Sequence, residues 1–491
     1  MVCAVALLLC GYAKSLQAQY RQWLPAETVD ETAWLAGVSA KDKRQLRRES
    51  RRGDAFLQWD YDYRKAGRAY QKALKYCPGH SLLQLKAGVA GMLAGNKQLA
   101  DAWNHLEKAA ETDNLPVKMT ALKLLAHMHH RYSRWDLALE YYRKCLQVAP
   151  EKDKAALEKA LAACQNGKLM ASGPRQRNYA ENAGNRVNSS FDDFAPVLNA
   201  TGDVLFMTSR RDDSTGGETD STGQFFEDIY EARQSAGSWR RPRNAGELNT
   251  PGHEGTAGLS VTEKLLVIYR GRNNGDLYYT RFSGKEWGKP QPLPADVNSP
   301  WRETSACLSA DGRKLFFTSD RPGGQGGLDI YLTEKTAMGW SKPRNLGETI
   351  NTAEDEDGVS LSTDGKTLYF SSRGHNSMGG FDVFASEITN EGFGPARNLG
   401  IPVNSPADDL HIWFVSDSLA WLGSDRPGGK GGLDLYTIAF AGEPLQWQLG
   451  NWQWLQVSAA PAWQQAADDN INNLLQQLAP EKPVTSLADI T

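Results

Sequence analysis

Two repeating patterns of hydrophobic and polar positions divide the chain. Between residues 53 and 150, small and large apolar residues recur at helical spacing. Between residues 188 and 440, short apolar runs alternate with polar turns and Gly-rich loops. The first pattern is typical of packed helices and the second of short β-strands. The sequence therefore predicts a helical domain followed by a β domain.

The helical half overlays on itself at a shift of 36 residues. Each copy has a small, a large and a small residue followed by a residue that ends a helix, and the matching positions are Ala66, Tyr70, Ala73 and Pro78; Ala102, Leu106, Ala109 and Asn114; Ala138, Tyr142, Cys145 and Pro150. Small side chains at these places let paired helices approach closely, as in tetratricopeptide-type (TPR-like) hairpins. We expect three hairpins between residues 53 and 150, a capping helix over residues 153–164, and one or two helices within residues 28–52.

The β half contains five copies of one motif, and the Asp residues that close them are Asp228, Asp276, Asp329, Asp382 and Asp434. Two copies read SADGRKLFFTSDRPGGQGGLDIY (residues 309–331) and STDGKTLYFSSRGHNSMGGFDVF (residues 362–384). Each contains an apolar strand, a tight Asp-Gly turn, a second strand, a Gly-rich loop and a third strand. An aromatic-Pro segment then begins a fourth strand. Four short strands in a repeat of about 50 residues are typical of a propeller blade.

The predicted fold class is therefore a multidomain α plus β protein in which a TPR-like α-solenoid is followed by a five-bladed β-propeller. The last blade needs a fourth strand, which either residues 182–184 or residues 446–448 would supply. Six blades remain an alternative if the tail folds as another blade. We predict a leader at residues 1–18, the helical domain at residues 19–174, the propeller at residues 175–440, and a Trp-containing tail with a short helix at residues 441–491.

Composition and charge support two different domains. Hydrophobic residues at 40% and charged residues at 23% exclude wholesale disorder. After the first ten residues no apolar run reaches the roughly 20 residues that cross a bilayer. The net charge is −3, but residues 19–174 carry 26 Lys and Arg against 17 Asp and Glu, whereas residues 175–491 carry 28 against 41. The helical half is therefore basic and the β half acidic.

The amino terminus resembles a short secretory leader. An apolar run at residues 2–9 is followed by a small-residue site that ends at Ala18, which predicts cleavage before Gln19. Cys10 offers the alternative of a lipoprotein site, although Leu9 is larger than the residue that usually precedes such a cysteine. We expect export to the periplasm and outer-membrane association, with lipidation as the less favoured alternative.

The candidate site residues of the β half form a repeated polar ring rather than one reactive centre. Arginines near the end of each second strand accompany the closing aspartates, and they are Arg210, Arg270, Arg321, Arg373 and Arg426. Charged residues repeated at every blade can pair with one another and satisfy backbone groups, so we interpret the ring as structural. A ligand in the central funnel is the alternative.

The sequence predicts no catalytic, cofactor-binding or metal-binding residue. The Gly-rich loops resemble a calcium nonapeptide but are not stacked in tandem, and the chain has no G-x-S-x-G motif. His127, His129 and His130 lack the acidic or Cys partners of a metal site, and we interpret them as a solvated helix face. Four cysteines after residue 18 have no paired spacing and are expected to be buried without disulfides. They are Cys77, Cys145, Cys164 and Cys307.

Residues 41–52 contain seven Lys and Arg in twelve positions. Because aromatic residues are not interleaved with these cations, nucleic-acid binding is not expected. A solvated helix or a surface for an acidic protein partner is the interpretation.

The pairing of TPR-like hairpins with blades that read TSDRPGGQGGLDIY and SSRGHNSMGGFDVF, joined by WSKPRNLGETINT (residues 340–352), resembles the PorE-like envelope proteins of the Bacteroidota. These proteins carry the PD40 propeller repeat that is shared with TolB. The resemblance covers residues 53–440. It implies a non-enzymatic periplasmic scaffold associated with the outer membrane, in some members a part of type IX secretion.

The chain departs from this family after residue 440, where an OmpA-like domain often follows in other members. Direct binding to peptidoglycan is therefore not expected. The sequence predicts an adaptor that binds envelope proteins through the solenoid groove, the propeller face or both. A propeller that senses a ligand or glycan is the alternative function.

Overall fold

The computed structural model describes residues 20, 23–25, 32–95, 98–173, 178–220, 223–260, 264–337 and 339–440. Seven helices lie within these residues: α1 (Ala40–Gln58), α2 (Tyr63–Leu74), α3 (Ser81–Leu93), α4 (Leu99–Ala110), α5 (Leu115–Arg131), α6 (Trp135–Val148) and α7 (Glu151–Ser172). A five-bladed β-propeller follows them. The predicted fold class, an α-solenoid followed by a five-bladed propeller, is confirmed. The predicted leader and tail lie outside the described residues.

The helices pair as α1 with α2, α3 with α4, and α5 with α6, while α7 packs on α6. Polar side chains define where several helices begin, because they accept backbone N–H bonds that the first turn leaves unpaired. Ser39, Asp62 and Asn114 do this for α1, α2 and α5. The repeated small and large positions are buried where the helices meet: Ala66, Tyr70, Ala73, Ala102, Leu106, Ala109, Ala138, Tyr142 and Cys145. Pro78 lies between α2 and α3, and Pro150 precedes α7.

Gly53 does not mark the start of the first hairpin, as the sequence suggested, but lies inside α1. A Cβ atom at this position would lie 2.5 Å from the Tyr70 ring. Glycine is therefore needed for close packing of α1 on α2, and the hairpin extends back to Ala40. The capping helix α7 is also longer than predicted.

The propeller strands alternate along the chain in antiparallel order within each blade. Blade 1 contains β2 (Asp193–Leu198), β3 (Val204–Ser209), β4 (Asp228–Ser235), β5 (Ser238–Trp239) and β6 (Arg243–Asn244). Blade 2 contains β7 (Glu254–Leu259), β8 (Leu265–Arg270), β9 (Asp276–Arg281) and β10 (Gln291–Pro292). Blade 3 contains β11 (Glu303–Leu308), β12 (Lys314–Ser319), β13 (Asp329–Thr336), β14 (Gly339–Trp340) and β15 (Arg344–Asn345).

Blade 4 contains β16 (Glu356–Leu361), β17 (Thr367–Ser372), β18 (Asp382–Thr389), β19 (Gly392–Phe393) and β20 (Arg397–Asn398). Blade 5 contains β21 (Asp409–Ser416), β22 (Leu419–Ser424), β23 (Asp434–Phe440) and β1 (Asn178–Asn182). The outer strand of blades 1, 3 and 4 is split into two short pieces that both pair with the third strand. The first strands of adjacent blades contact one another around the ring centre.

The ring is closed by β1, which precedes the first blade in sequence and pairs antiparallel with β23 of the last blade. The register runs from Asn178 opposite Phe440 to Asn182 opposite Tyr436. The structure thus selects the first of the two closing segments that the sequence left open. Closure by an N-terminal strand ties the two ends of the ring together and covers the outer edge of β23 in blade 5.

The hydrophobic core of the propeller lies between adjacent blades. Five apolar clusters each draw residues from two neighbouring blades, such as Phe316 of blade 3 with Phe370 of blade 4. Among the described residues, none of the helices combines the length and the apolar character that a bilayer crossing requires.

Candidate functional site

One face of the propeller carries two sets of loops. Because the strands of a blade are antiparallel, the loop between the second and third strands and the loop that enters the next blade leave the sheet at the same edge. The Gly-rich loops and the closing aspartates therefore lie on this face. We call it the loop face, defined by residues 186–193, 210–220, 223–228, 248–254, 271–276, 296–303, 320–329, 350–356, 373–382, 403–409 and 425–434.

A buried carboxylate begins the first strand of every blade on the loop face. These residues are Asp193, Glu254, Glu303, Glu356 and Asp409. In blade 3, Glu303 accepts hydrogen bonds from the Ser299 backbone N–H (3.1 Å), the Ser299 hydroxyl (2.6 Å) and the Ser319 hydroxyl (2.8 Å). The carboxylate therefore joins the incoming loop to the second strand of its own blade.

These carboxylates are not among the candidate site residues predicted from the sequence. A signal was present, because each follows an Asn and a Ser or Thr at a fixed distance, as in Asn298-Ser299 before Glu303. The Asn joins the same network: the Asn298 side-chain carbonyl accepts the Leu277 N–H (2.9 Å) and its amide donates to the Leu277 carbonyl (2.9 Å). This pattern ties each entering loop to the third strand of the preceding blade.

Four arginines bridge the buried carboxylates to a backbone carbonyl of the entering loop. Arg321 donates to the Val297 carbonyl (2.5 Å) and to Glu303 (2.9 Å). The equivalent pairs are Arg211 with Val187 and Asp193, Arg270 with Leu248 and Glu254, and Arg426 with Val403 and Asp409. Charge-assisted bonds in a buried setting hold each loop at a defined distance from its blade.

Two of the five predicted ring arginines do not occupy this position. Arg210 pairs instead with Asp220 and Glu227 of its own loop, and its neighbour Arg211 makes the bridge. Arg373 pairs with Asp408 at the start of blade 5 (3.2 Å). In its place, the Nε2 atom of His375 lies 3.0 Å from the Ile350 carbonyl of the entering loop. The residue that reaches the loop carbonyl therefore lies one position after the matched arginine in blade 1 and two positions after it in blade 4.

Blade 4 therefore buries its carboxylate without an arginine. Among the described residues, the contacts of Glu356 are hydroxyl and backbone donors from Thr352 and Ser372, with no ion pair. Burial raises the pKa of Glu356 to about 7, and the three hydrogen bonds only partly offset this shift. Glu356 differs in this respect from Glu303, which has Arg321.

The five closing aspartates lie buried at the start of each third strand. Asp329 accepts bonds from the backbone N–H groups of Gln325 and Gly326 and from the Asn345 amide. Asp434 has the equivalent donors Lys430, Gly431 and Asn182. These contacts fasten the Gly-rich loop to the outer strand.

The remaining closing aspartates keep part of this arrangement. Asp228 accepts from the Thr215 N–H (2.5 Å) and the Asn244 amide, and Asp382 accepts from the Met378 N–H and the Asn398 amide. Asp276, in the blade with the shortest loop, accepts from the Asn273 amide (2.9 Å). Burial raises the pKa of Asp382 well above its usual value.

The helical array packs on the loop face at blades 4 and 5. At the end of α5, Arg131 forms an ion pair with Asp425 (3.1 Å), and His130 Nε2 lies 2.8 Å from the Met378 carbonyl. From α7, the Asn166 amide donates to the Ser377 carbonyl (3.0 Å). Burial raises the pKa of Asp425, and Arg131 opposes this shift. The helices thus rest on the Gly-rich loop of blade 4, GHNSMGG, and on the neighbouring loop of blade 5.

The three histidines of α5 are not a solvated face, as the sequence suggested. His130 bridges to the propeller, His127 Nδ1 contacts the Tyr20 hydroxyl (2.8 Å), and His129 stacks on Tyr141. Burial lowers the pKa of His130 to about 4 and that of His127 well below its usual value. His130 thus contacts the propeller, whereas His127 and His129 contact aromatic residues of the array, and helical spacing does not reveal these roles.

Residues close to the amino terminus contact the first helices of the second and third hairpins. Tyr20 is buried against α3 and α5, the Thr120 hydroxyl lies 3.2 Å from the Trp23 carbonyl, and the Lys123 ammonium lies 4.0 Å from the Trp23 ring centre. Burial of the Lys123 ammonium lowers its pKa. This part of the array surface is therefore covered by the chain itself.

A cleft of about 660 Å³ separates α5 and α7 from blades 4 and 5. Its walls include Trp23, Lys123, Lys159, Glu354 and His375. Lys159 pairs with Glu354 across the cleft (2.5 Å). The cleft is large enough for a small polar ligand or a partner side chain.

The ring centre is polar but closely packed. Asp357 accepts hydrogen bonds from the hydroxyls of Thr304, Ser305 and Thr318. The cavity beside it, lined by His411 and Thr304, measures about 30 Å³, which has room for little more than water. The described residues contain no group of three His, Cys, Asp or Glu that could hold a metal ion, and their four cysteines are free and buried.

No protein-family model and no curated protein match the chain. Among solved structures, TolB from Acinetobacter baumannii is 15% identical over 52% of this chain and 55% of that chain, with a TM-score of 0.30. The chain thus spans about half the length of that TolB. A TolB homologue from Agrobacterium tumefaciens is 14% identical over 55% of this chain and 100% of its own, with a TM-score of 0.32. An α-L-arabinofuranosidase from Podospora anserina is 12% identical over 52% and 94%, with a TM-score of 0.34.

Proposed function

We propose that the protein is a non-enzymatic scaffold or adaptor of the cell envelope, which binds protein partners through a surface shared by the helical array and the propeller. The observation that carries this proposal is the docking of α5 and α7 on the loop face through Arg131, His130 and Asn166. Because these contacts are largely buried, a partner meets one composite surface rather than two tethered modules.

The envelope location is supported by the apolar leader pattern before Gln19 and by the resemblance of the blade motifs to PorE-like proteins. That resemblance also favours a periplasmic role in outer-membrane assembly or type IX secretion. Part of the array groove is covered by Tyr20 and Trp23. The loop of blade 1 is covered as well, because a Cβ atom at Gly223 would lie 3.1 Å from the Tyr61 ring. We therefore place the partner contact on the cleft and the loops of blades 2 and 3.

The test compares capture of envelope proteins by three forms of the full chain. The parent is compared with Arg131→Gln/Asn166→Ala, which removes two docking contacts, and with Lys152→Gln/Glu158→Gln, which changes exposed positions of α7. Solution scattering reports whether the array and the propeller separate. We expect parent and control to retain the same envelope proteins and the undocked form to lose at least one.

Two outcomes would contradict the proposal. One is equal capture by a variant that scattering shows to be undocked. The other is capture of the same proteins from cytosol and envelope extracts alike, which would remove the envelope assignment.

A second candidate function is recognition of a small polar ligand or glycan, and the cleft of about 660 Å³ favours it. The Trp23 ring in its wall offers a stacking surface for a sugar. Binding of N-acetylglucosamine and glucose oligosaccharides, measured by calorimetry on the parent and on Trp23→Ala, tests this function. Heat of binding that the substitution abolishes would support it, and no heat with either series would reject it for these sugars.

A further inference from the structure

The first helical hairpin, α1 with α2, has a charge distribution unlike that of the rest of the array. Residues 40–76, all of which the structure describes, contain twelve Lys and Arg against five Asp and Glu. Eleven of the twelve cations are exposed, and they are Lys41, Arg44, Arg47, Arg48, Arg51, Arg52, Arg64, Lys65, Arg68, Lys72 and Lys75. We call this set the cationic face.

The carboxylates of the same hairpin do not neutralise this face. Of the five carboxylates in residues 40–76, Asp60 is the exposed one. Glu49 is buried, and Asp54 accepts hydrogen bonds from Tyr70 and Lys86. The described ion pairs of the cationic face are Arg48 with Glu49 and Lys65 with Asp62. Most of its cations are therefore available to an external anion.

A hairpin at the end of a helical array does not need a surface of one charge in order to stay solvated. The other end of the array, α7, mixes signs on its surface, with Lys152 and Lys159 beside Glu151 and Glu158. Mixed charges keep a terminal helix soluble as well as a single sign does. The single sign of the first hairpin therefore points to an anionic partner.

Two exposed aromatic side chains accompany the cations. Trp59, just after α1, is 76% exposed, and Tyr76, after α2, is 38% exposed. Because α1 and α2 are antiparallel, the two rings lie at opposite ends of the hairpin. Trp and Tyr beside a row of Lys and Arg are the combination that settles at the headgroup level of a membrane.

We propose that the cationic face docks on the surface of a bilayer that contains anionic phospholipids, with Trp59 and Tyr76 entering the headgroup layer. The eleven cations are spread along both helices of the hairpin, so a layer of lipid phosphates can meet several of them together. The inference rests on the proposed envelope function for the source of the lipid. It deepens that function by naming the surface that holds the scaffold at a membrane.

The experiment measures cosedimentation of the full chain with vesicles of phosphatidylcholine alone or with an equal part of phosphatidylglycerol. The test variant is Arg44→Gln/Arg47→Gln/Arg51→Gln/Arg68→Gln, and the matched control is Arg240→Gln/Arg241→Gln/Arg243→Gln/Arg313→Gln on exposed propeller positions. Each lost cation is expected to weaken binding about fivefold, so the test variant, which lacks four of them, should bind anionic vesicles at least ~100-fold more weakly than the parent. The control should bind like the parent. The Trp59→Ser variant should bind more weakly than the parent, and the difference should be clearest at high ionic strength, where salt screens the charges.

All of these proteins share the same amino terminus, so any contribution of residues 1–18 cancels in the comparison. Equal binding of the parent to both kinds of vesicle, or an equal loss in the control, would overturn the proposal. Retention on immobilised polyglutamate without vesicle binding would overturn it in favour of an acidic protein partner. Capture of envelope proteins in the separate experiment above does not depend on any of these results, so the two proposals can fail independently.

Discussion

The propeller and the helical array join their repeats through different kinds of contact. Each blade of the propeller is joined to the next by a buried carboxylate, an Asn and usually an Arg, as with Glu303, Asn298 and Arg321. The hairpins of the array are joined by small residues that admit a large neighbour, as Gly53 admits Tyr70.

This difference follows from what each repeat exposes at its edges. A blade leaves loops whose backbone groups have no partner in the sheet, and buried polar side chains satisfy them. A helix satisfies its own backbone, so its repeats need only close contact. Substitutions should therefore act in the propeller by leaving polar groups unpaired and in the array by changing volume.

The largest effect is expected when a blade loses its buried carboxylate. Glu303→Ala leaves Arg321 and the Ser299 N–H without their partner and should lower the free energy of unfolding by about 3 to 5 kcal/mol. Urea unfolding monitored by tryptophan fluorescence measures this loss. The control Glu348→Ala, at an exposed position of the same blade, should change stability by less than about 0.5 kcal/mol. Equal losses in the two variants would argue against the polar network.

The carboxylate that lacks an arginine should make blade 4 sensitive to pH. Because the pKa of Glu356 is about 7 in the folded protein and 4.5 otherwise, the folded state holds a proton that the unfolded state releases between these values. Its contribution to stability is therefore present below about pH 4.5 and is lost as the pH rises to about pH 7, by up to about 3 kcal/mol.

The comparison of parent and Glu356→Gln isolates this contribution, since glutamine does not titrate. The parent should lose stability relative to the variant as the pH rises through that window, as measured by chemical unfolding at several pH values. Parallel pH profiles would show that Glu356 is ionised in the folded protein.

In the helical array a change of volume should matter more than a change of polarity. A Cβ atom at Gly88 would lie 2.6 Å from Leu106, which is fully buried, so Gly88→Val should destabilise by about 1 to 3 kcal/mol. Gly67 of α2 is the matched control, because its Cβ would lie 3.9 Å from the nearest atom. Gly67→Ala should be neutral or stabilise by about 0.5 to 1 kcal/mol in thermal unfolding. Stabilisation by both would mean that helix propensity, not packing, dominates.

The smallest expected effect is a difference in unfolding free energy between variants at two closing aspartates of the propeller. Asp329 satisfies two backbone N–H groups and the Asn345 amide, whereas Asp276 accepts from Asn273. Asp329→Ala should therefore cost about 1 kcal/mol more than Asp276→Ala, within the range of about 1 to 3 kcal/mol for an unsatisfied buried group. Urea titration of the two variants gives the difference directly. Equal costs would show that the donors of Asp329 find other partners, such as water.

The repeats themselves were predictable from the sequence. The 36-residue spacing of Ala66, Ala102 and Ala138 reflects helix contacts that recur in every hairpin, and the recurrence of the closing aspartates reflects one turn per blade. Local periodicity carries this information because each repeat contacts chiefly its neighbours. The same count predicted five blades, and the pairing of β1 with β23 then decided against the alternative of six.

The details of the polar ring were not predictable in this way. Arg210 and Arg373 match the repeat in sequence, but Arg211 and His375 reach the loop carbonyls in the structure. A side chain of Arg or His can reach the same carbonyl from neighbouring positions, so the backbone register decides which residue does so. The role of Gly53 was hidden for a similar reason, because a glycine within a helix gives the same local signal as a glycine at its end.

The sequence by itself determined the two repeat systems, the five copies of the blade motif and the opposite charges of the two halves, since these depend on composition and on spacing within single repeats. Only the tertiary structure decided that β1 closes the ring, that His130 and Arg131 rest on blades 4 and 5, and that Tyr20 lies against α5. Each of these contacts joins residues more than a hundred positions apart. No local pattern specifies such a pairing, because it arises from the shapes and charges of surfaces that exist only after the repeats have folded.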